Sequence, residues 1–399
     1  MPFLALLLTL LAVPVTAESA LTVGDAVTYA LTHHPELKAV REEEAAAKAA
    51  MRGAQARRNP EILVTPGILG SAGSDELFSL TQPLELTGAR AARARIATGE
   101  LEAAHAESRV TERDVALTVR LAYWELMQAQ AIAVSDTEHV THIETLALAA
   151  KRRVEMGDAP TSHPLKVEVE LARARQQLIR SQAAVVQART ALNASMGREP
   201  MAPLMLADPP PFTPLQLSAD TLWATGQTQR PELARAEALA IAAGGAVDAA
   251  RAAKRPDVAV QIRREADSSA GGVGLAISLP VVDWGAARAE RERTQALLAA
   301  QRQRIEAVRL TIRQEIHTAL TAVQSAEFQV RSQDNDVVAP AEKLAALTMM
   351  GYQEGAMTHL EVLDARRVAR AAHADYAAAL GEYHKALARL TWAVGEELR

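Results

Sequence analysis

Val115, Val119, Ala122, Leu126, Ala129 and Ala133 step along the chain by fours and threes. Ile305, Val308, Ile312, Ile316, Ala319 and Val323 do the same further on. A mean period near 3.5 residues is the seam of a coiled coil. The pattern predicts one nearly unbroken helix from Ala89 to Met156, roughly 100 Å long at the α-helical rise. Gly157 to Pro160 then turns the chain, and Thr161 or Ser162 caps a returning helix with Pro164 in its first turn. Leu171, Leu178, Val185 and Leu192 repeat every seven residues on that helix. A second long helix is expected from Ala286 to about Tyr352, disturbed at Pro340, turned at Gly355 and returned over Thr358 to Trp392. Each set is a long antiparallel coiled-coil hairpin.

Elsewhere the period drops to two. Leu77 to Gln82 alternates, with Phe78 and Leu80 on one face and Ser79 and Thr81 on the other. Pro83 ends that ladder because it lacks the N–H a strand donates, and Gly88 releases the chain into the long helix. Glu61 to Ile68 supplies the preceding strand, across the Gly70 to Asp75 turn, with Pro66 marking a strand end or bulge. A second pair runs over Asp257 to Arg263 and Gly272 to Leu279. There Val273, Leu275, Ile277 and Leu279 alternate with Gly274, Ala276 and Ser278. Four strands cannot close a barrel, and lipid tolerates no open sheet edge. Two readings therefore stay open on pattern alone. Several chains pool their strands in a membrane, or a small soluble hairpin caps a helical bundle.

The strand-to-helix junction occurs twice because much of the chain does. His34-Pro35-Glu36-Leu37 returns as Arg230-Pro231-Glu232-Leu233, and Arg58 to Glu61 as Lys254 to Asp257. Met156-Gly157-Asp158 returns loosely as Glu354-Gly355-Ala356, and Leu192 to Gly197 as Leu390 to Gly395. An ordered set of matches at one offset, about 197 residues, is an internal duplication. The expected plan is a secretory signal peptide over 1–17, a first repeat over 18–197, a Pro-rich linker over 198–216 and a second repeat over 217–399. The leader rests on the apolar run Phe3 to Val13 and the small residues Val15 to Ala17. Leu21 to Arg57 reads as helix, capped around Thr22 to Asp25 and restarted at Pro35.

Composition narrows the picture. Alanine dominates and aromatics are only 3%, so the helices must pack through close backbone approach rather than large interlocking side chains. A net charge of −5 gives no basic face for nucleic acid. With 0 cysteines there is no disulfide and no Cys metal site. Beyond the leader no 18-residue apolar stretch offers a transmembrane helix. No nucleophile elbow, phosphate loop or zinc-protease signature occurs, and the Gly244-Gly245 and Gly271-Gly272 pairs sit in the wrong context for nucleotides. The chain is not expected to be an enzyme or to carry a cofactor.

The order of elements, with Pro35-Glu36-Leu37, Gln82-Pro83 before the long helix, and Gly355 to Ala365 at the second turn, resembles the TolC-type outer-membrane efflux family across residues 21–395. The Gln82 to Gly88 junction followed by Arg90 and Arg93 resembles its heavy-metal (CzcC/CusC-like) branch. The resemblance implies a mainly α fold with a small β part. In a homotrimer the duplicated hairpins would form an α-helical cylinder in the periplasm, and the strands a twelve-stranded barrel in outer-membrane lipid. It implies a passive exit duct served by a periplasmic adaptor (membrane fusion) protein and an RND-type inner-membrane pump. The competing readings are a periplasmic adaptor and a secreted structural coiled coil without a pore. An adaptor carries one coiled-coil hairpin between β domains, whereas this chain has two.

Glu361 and Asp364 lie one helical turn apart after the Gly355 turn, and in a symmetric trimer would make two rings of carboxylate that attract cations. The resemblance places them at the family's periplasmic gate; the residues alone equally make Thr358 to Glu361 a capping box and Asp364 a solvated position. Tyr352 matches a gate tyrosine of the family, but Met357 stands where its arginine partner would be, which leaves Tyr352 as gate or as packing. By the same resemblance Arg153, Gly157, Ser162, Leu165, Gly355, Thr358 and Leu360 are the adaptor-contact tips, along with Tyr352. His163 and His359 follow the two turns without zinc-like ligand spacing and read as solvated or capping histidines, and His139 with His142 makes too few ligands for a metal. Phe78 and Trp284, at strand ends, are candidates for an aromatic belt.

Overall fold

The structure is a computed structural model. It describes residues 20–65, 77–157, 160, 162–208, 211–214, 218–265, 271–279 and 284–396. The expected leader, the Gly70 to Asp75 turn with Pro66, and the Thr161 cap lie outside these residues.

One order of elements runs twice. The first run is α1 (Val23–His33), α2 (Pro35–Gln55), β1 (Glu61–Thr65), β2 (Leu77–Pro83), α3 (Ala89–Glu155) and α4 (Ser162–Ser195). The second is α5 (Ala219–Gln229), α6 (Pro231–Ala252), β3 (Asp257–Glu265), β4 (Gly271–Ser278), α7 (Ala286–Ser332), a π-helical turn (Gln333–Val338), α8 (Ala339–Gln353) and α9 (His359–Val394). Local chemistry sets the starts. Thr22 and Asp25 form a capping box: the Thr22 hydroxyl accepts from Asp25 N at 3.2 Å, and the Asp25 carboxylate accepts from Thr22 N at 3.2 Å. Pro35 and Pro231 occupy first-turn positions where an N–H has no use. The disturbance expected at Pro340 takes the form of the π-helical turn that leads into it. Proline removes a donor from the ladder, and a wider turn absorbs the mismatch.

The chain forms two compact units, each drawing on both runs. The first comprises residues up to Ala30, Val119–Thr213 and Ser332–Gly381. Its core joins Ile143 and Leu146 of α3, Val167 of α4, Tyr352 of α8, and Val362 and Leu363 of α9. Each large aliphatic fully buried there contributes about 1.5–3 kcal/mol. A second layer is nearly pure alanine, Ala341 and Ala345 against Ala365, Ala369 and Ala372. The described stretch after α4 has turns at 196–197 and 200–201 and no helix over 202–208, but it is not free. Leu21 N donates to Met205 O and Ala207 N to Leu21 O, both at 2.9 Å, in a short parallel bridge.

The second unit comprises Leu31–Thr118, Pro214–Arg331 and the chain from Glu382. Here α3 and α6 approach backbone to backbone. A Cβ on Gly99 would lie 2.5 Å from Ala242 N, and one on Gly245 2.8 Å from Ile96 N. The Gly244-Gly245 pair therefore serves helix packing. The second Pro-Glu-Leu start carries a buried ion network: Arg230, 4% exposed, donates to Glu232, to Glu315 at 2.7 Å and to Ala393 O at 2.7 Å, while Arg113 also pairs with Glu232.

This unit also holds one antiparallel sheet in the order β1-β2-β3-β4. The two hairpins join through β2 and β3, with Leu80 opposite Ile262 and Thr81 opposite Gln261. The register puts Ile62, Val64, Phe78, Leu80, Val258, Val260, Ile262, Val273, Leu275 and Ile277 on one face. Gln82 and Arg264 lie at the ends of that face. The other face carries Ser79, Thr81, Gln261, Arg263, Gly272, Gly274, Ala276 and Ser278, with Leu63, Leu77 and Ala259 among its apolar positions. Both faces have open positions: Val273 is 75% and Leu275 68% exposed on the apolar face, and Leu63, Arg263, Gly272, Gly274 and Ser278 are exposed on the other, where Ser79 is buried. Trp284, beyond β4, is 96% exposed and has φ of 47°.

Candidate functional site

The two helix turns with the residues singled out around them fall in the first unit. At the second turn α8 ends in a Schellman motif. Gly355 takes φ of 82°, its N–H donates to Tyr352 O at 3.2 Å, and Ala356 N donates to Gly351 O at 2.8 Å. The first turn shares the logic: Gly157 has φ of 83° and donates to Val154 O at 3.0 Å. Met357 folds back over Gly351, where an added Cβ would lie 2.6 Å from its Cγ.

α9 then starts with a complete capping box. Glu361 Oε2 accepts from Thr358 N at 2.6 Å and from its hydroxyl at 2.8 Å. These bonds, the backbone one foremost, hold the Glu361 carboxyl below its usual range. Asp364 stands exposed one turn further along the helix. Glu361 is thus ionised, exposed and fixed in direction, and Asp364 adds a second exposed carboxylate on that side.

Tyr352 is buried, 6% exposed, and lies under an arginine from α3. The Arg153 guanidinium sits 4.3 Å from the ring centroid and donates to Tyr352 O at 2.6 Å. Arg153 is thus the arginine that packs on Tyr352, a partner the sequence did not indicate because it lies 199 residues away. Ser162, Leu165 and Leu360 are together. With Lys166, Glu170 and Arg367 they line an open groove of about 460 Å³ between α4 and α9. Thr358 spends its hydroxyl on the cap. Below the groove Arg367 grips Glu170 with two bonds, 2.9 and 2.7 Å, which lower the Glu170 pKa.

The histidines at the turns are not solvated. His163 and His359 stack with ring centroids 4.1 Å apart. His359 is 3% exposed and its Nε2 is buried without a partner. Burial, then His163 and Lys166, lower its pKa, so His359 packs against His163 as a neutral ring. The sequence reading is corrected here because stacking needs both repeats, which no local pattern reveals. Among the described residues no three His, Asp or Glu side chains converge to hold a metal ion. No helix among them is long and apolar enough to cross a membrane.

Comparison with known proteins fits this architecture. The family described as "Outer membrane efflux protein" matches residues 26–198 and 226–396. The cobalt-zinc-cadmium resistance protein CzcC of Cupriavidus metallidurans is 25% identical over 388 residues, covering 94% of this chain and 90% of CzcC. The pyoverdine export outer membrane protein OpmQ of Pseudomonas aeruginosa is 27% identical over 339 residues, covering 80% of this chain and 68% of OpmQ. A crystal structure of CusC superposes with a TM-score of 0.80 at 20% identity, covering 94% of this chain and 92% of that one.

Proposed function

The chain belongs to the outer membrane efflux protein family, and from that premise we propose that it is the exit duct of a tripartite efflux system for heavy-metal cations. Three copies pool their strands into a twelve-stranded barrel and their helices into a periplasmic cylinder. An inner-membrane pump of RND type delivers substrate through a periplasmic adaptor. The observation that carries this reading is the sheet. One face is apolar and exposed, the other is mostly small and polar, and among the described residues β1 and β4 are the edge strands. In lipid such edges are satisfied only by closure, and four strands need copies of themselves to close.

The turn region has a part for each further step. Glu361 and Asp364, repeated by threefold symmetry, form carboxylate rings that favour cations. The groove at Ser162, Leu165 and Leu360 offers exposed leucines beside Lys166 and Arg367 to an adaptor's helical tip. Likeness to CzcC favours a divalent metal as cargo. The test begins with the native mass of protein extracted in detergent from outer membranes. A trimer is expected; a monomer recovered from the soluble periplasm sinks the duct. In bilayers, Glu361→Gln with Asp364→Asn should lower cation preference of the conductance. Unchanged selectivity removes the two carboxylates from the gate. Cells lacking the protein should lose tolerance to cobalt, zinc or cadmium, and unaltered tolerance to all three rejects the metal assignment.

A further inference from the structure

A polar chamber of about 260 Å³ opens in the first unit between α3, α8 and α9. It adjoins the alanine layer of the bundle, and Ala345 and Ala369 of that layer form part of its wall. The π-helical turn leads into α8 beside it, and Val337 and Val338 of that turn pack on the same layer. Wide turns of this kind recur at functional sites.

Most charges around the chamber are already matched. Arg370 pairs with buried Asp136 at 3.0 Å, and Gln177 of α4 donates to the other oxygen of Asp136 at 3.3 Å. His373 meets Glu342 at 2.9 Å. Arg366 is different. Among the described residues no carboxylate pairs with it, its Nε is buried without a partner, and burial lowers its pKa. On the facing wall His139 is 7% exposed, and His142 lies one turn further along α3. Burial is the chief cause that lowers both pKa values. Arg370 acts in the same direction on His139 and Arg366 on His142, against Asp136 and Glu170 for the first and Glu138 for the second. One guanidinium lacks a paired carboxylate, and the two imidazoles across from it are held toward the neutral form, chiefly by burial.

We propose that this chamber binds a small oxyanion, with Arg366 as its charged anchor and His139 and His142 as N–H donors. A fork of guanidinium N–H groups suits an oxyanion, and imidazoles that gain a proton beside it add charge-assisted bonds. A divalent cation is disfavoured, since Arg366 and Arg370 repel it and three ligands do not converge. Glu138, the chamber carboxylate with no partner among the described residues, opposes the anion.

Sulfate is the probe, because it keeps its double charge through neutral pH while the imidazoles titrate. Equilibrium dialysis of the full chain in detergent should give saturable binding of one sulfate per chain, tighter at about pH 6 than at about pH 8. Arg366→Gln should weaken it by about tenfold or more. Glu138→Gln should tighten it, and His142→Gln should weaken it and flatten the pH dependence. Arg175→Gln, which removes an exposed arginine paired with Glu144 outside the chamber, should leave it unchanged. If Arg366→Gln fails to fold, the Glu138→Gln arm still decides. Absence of saturable binding at the lower pH, sulfate affinity indifferent to both substitutions, or uptake of zinc in place of sulfate each overturns the assignment.

Discussion

In the sheet, Val273, Leu275 and Ile277 stand in the open while Ser79 is buried. At the helix turns the order is reversed: Tyr352, Val362 and Leu363 are inside, and Glu361 and Asp364 are outside. One chain thus satisfies two opposite rules of burial. A face that water surrounds would not keep Ile62, Val64, Phe78, Val273, Leu275 and Ile277 together in the open, because contiguous exposed apolar surface marks an interaction site or lipid. The turns, with capped helix ends and a buried core, follow the rule for water except where Leu165, Leu360 and Met350 are exposed. The contrast fits a sheet face that is covered by lipid or by a partner surface, and a turn region that meets water.

The sharpest way to break that contrast is to charge the two faces of the sheet in turn. Leu275→Arg puts a guanidinium on the apolar face, where a barrel in lipid loses about 2–4 kcal/mol per charge near its middle. Three copies multiply the loss, so trimer recovered from outer membranes should fall steeply. Thr81→Arg puts the same charge on the other face, opposite Glu61, and trimer yield should be nearly that of the native chain. Equal yields for the two variants would mean that the faces do not see different solvents.

A smaller effect is expected at the turn. Gly355 holds φ of 82°, a conformation that costs residues with a Cβ about 1–2 kcal/mol, and more for a β-branched one. Gly355→Val should lower the thermal midpoint and loosen the turn, seen as faster amide exchange at Gly355 and Ala356. Gly274→Ala, in the sheet where φ is ordinary and nothing lies within 4 Å of an added Cβ, should leave stability almost unchanged. A midpoint lowered equally by both would remove the special role given to the turn glycine.

The features legible in the sequence were those set over short distances. Heptad spacing located the helices, two-residue alternation located the strands, and Thr358 with Glu361 announced a cap three residues long. What could not be read were pairings between repeats. Glu170 and Arg367 are 197 residues apart, Asp136 and Arg370 234. Arg153 over Tyr352 and His163 against His359 belong to the same class. Each needs the register of one hairpin against the other, and a shift by one heptad along an Ala-rich helix would replace every partner while keeping the seam packed. The exposure of the sheet's faces was equally hidden, since alternation tells which residues share a face but not what that face meets.

Those unread pairs supply the mildest and most specific test, at the helical end of the contrast. Glu170 is buried and its carboxyl is held below the usual range, chiefly by the two bonds from Arg367 and against the cost of burial. A carboxyl with a lowered folded pKa stabilises the fold above its unfolded pKa, about 4.3, and that contribution fades as pH falls through the lower folded value. Because Arg367 is half exposed, solvent screens the pair, and its contribution is about 1–2 kcal/mol rather than that of a sealed ion pair. Glu170→Gln should therefore lower the thermal midpoint modestly at neutral pH. The gap between native chain and variant should narrow as pH drops below 4.3, because protonation makes the native carboxyl resemble the amide. A gap that persists undiminished in acid would mean that Glu170 acts through packing, and that the turn region, like the sheet, is held by something other than the charges its surface displays.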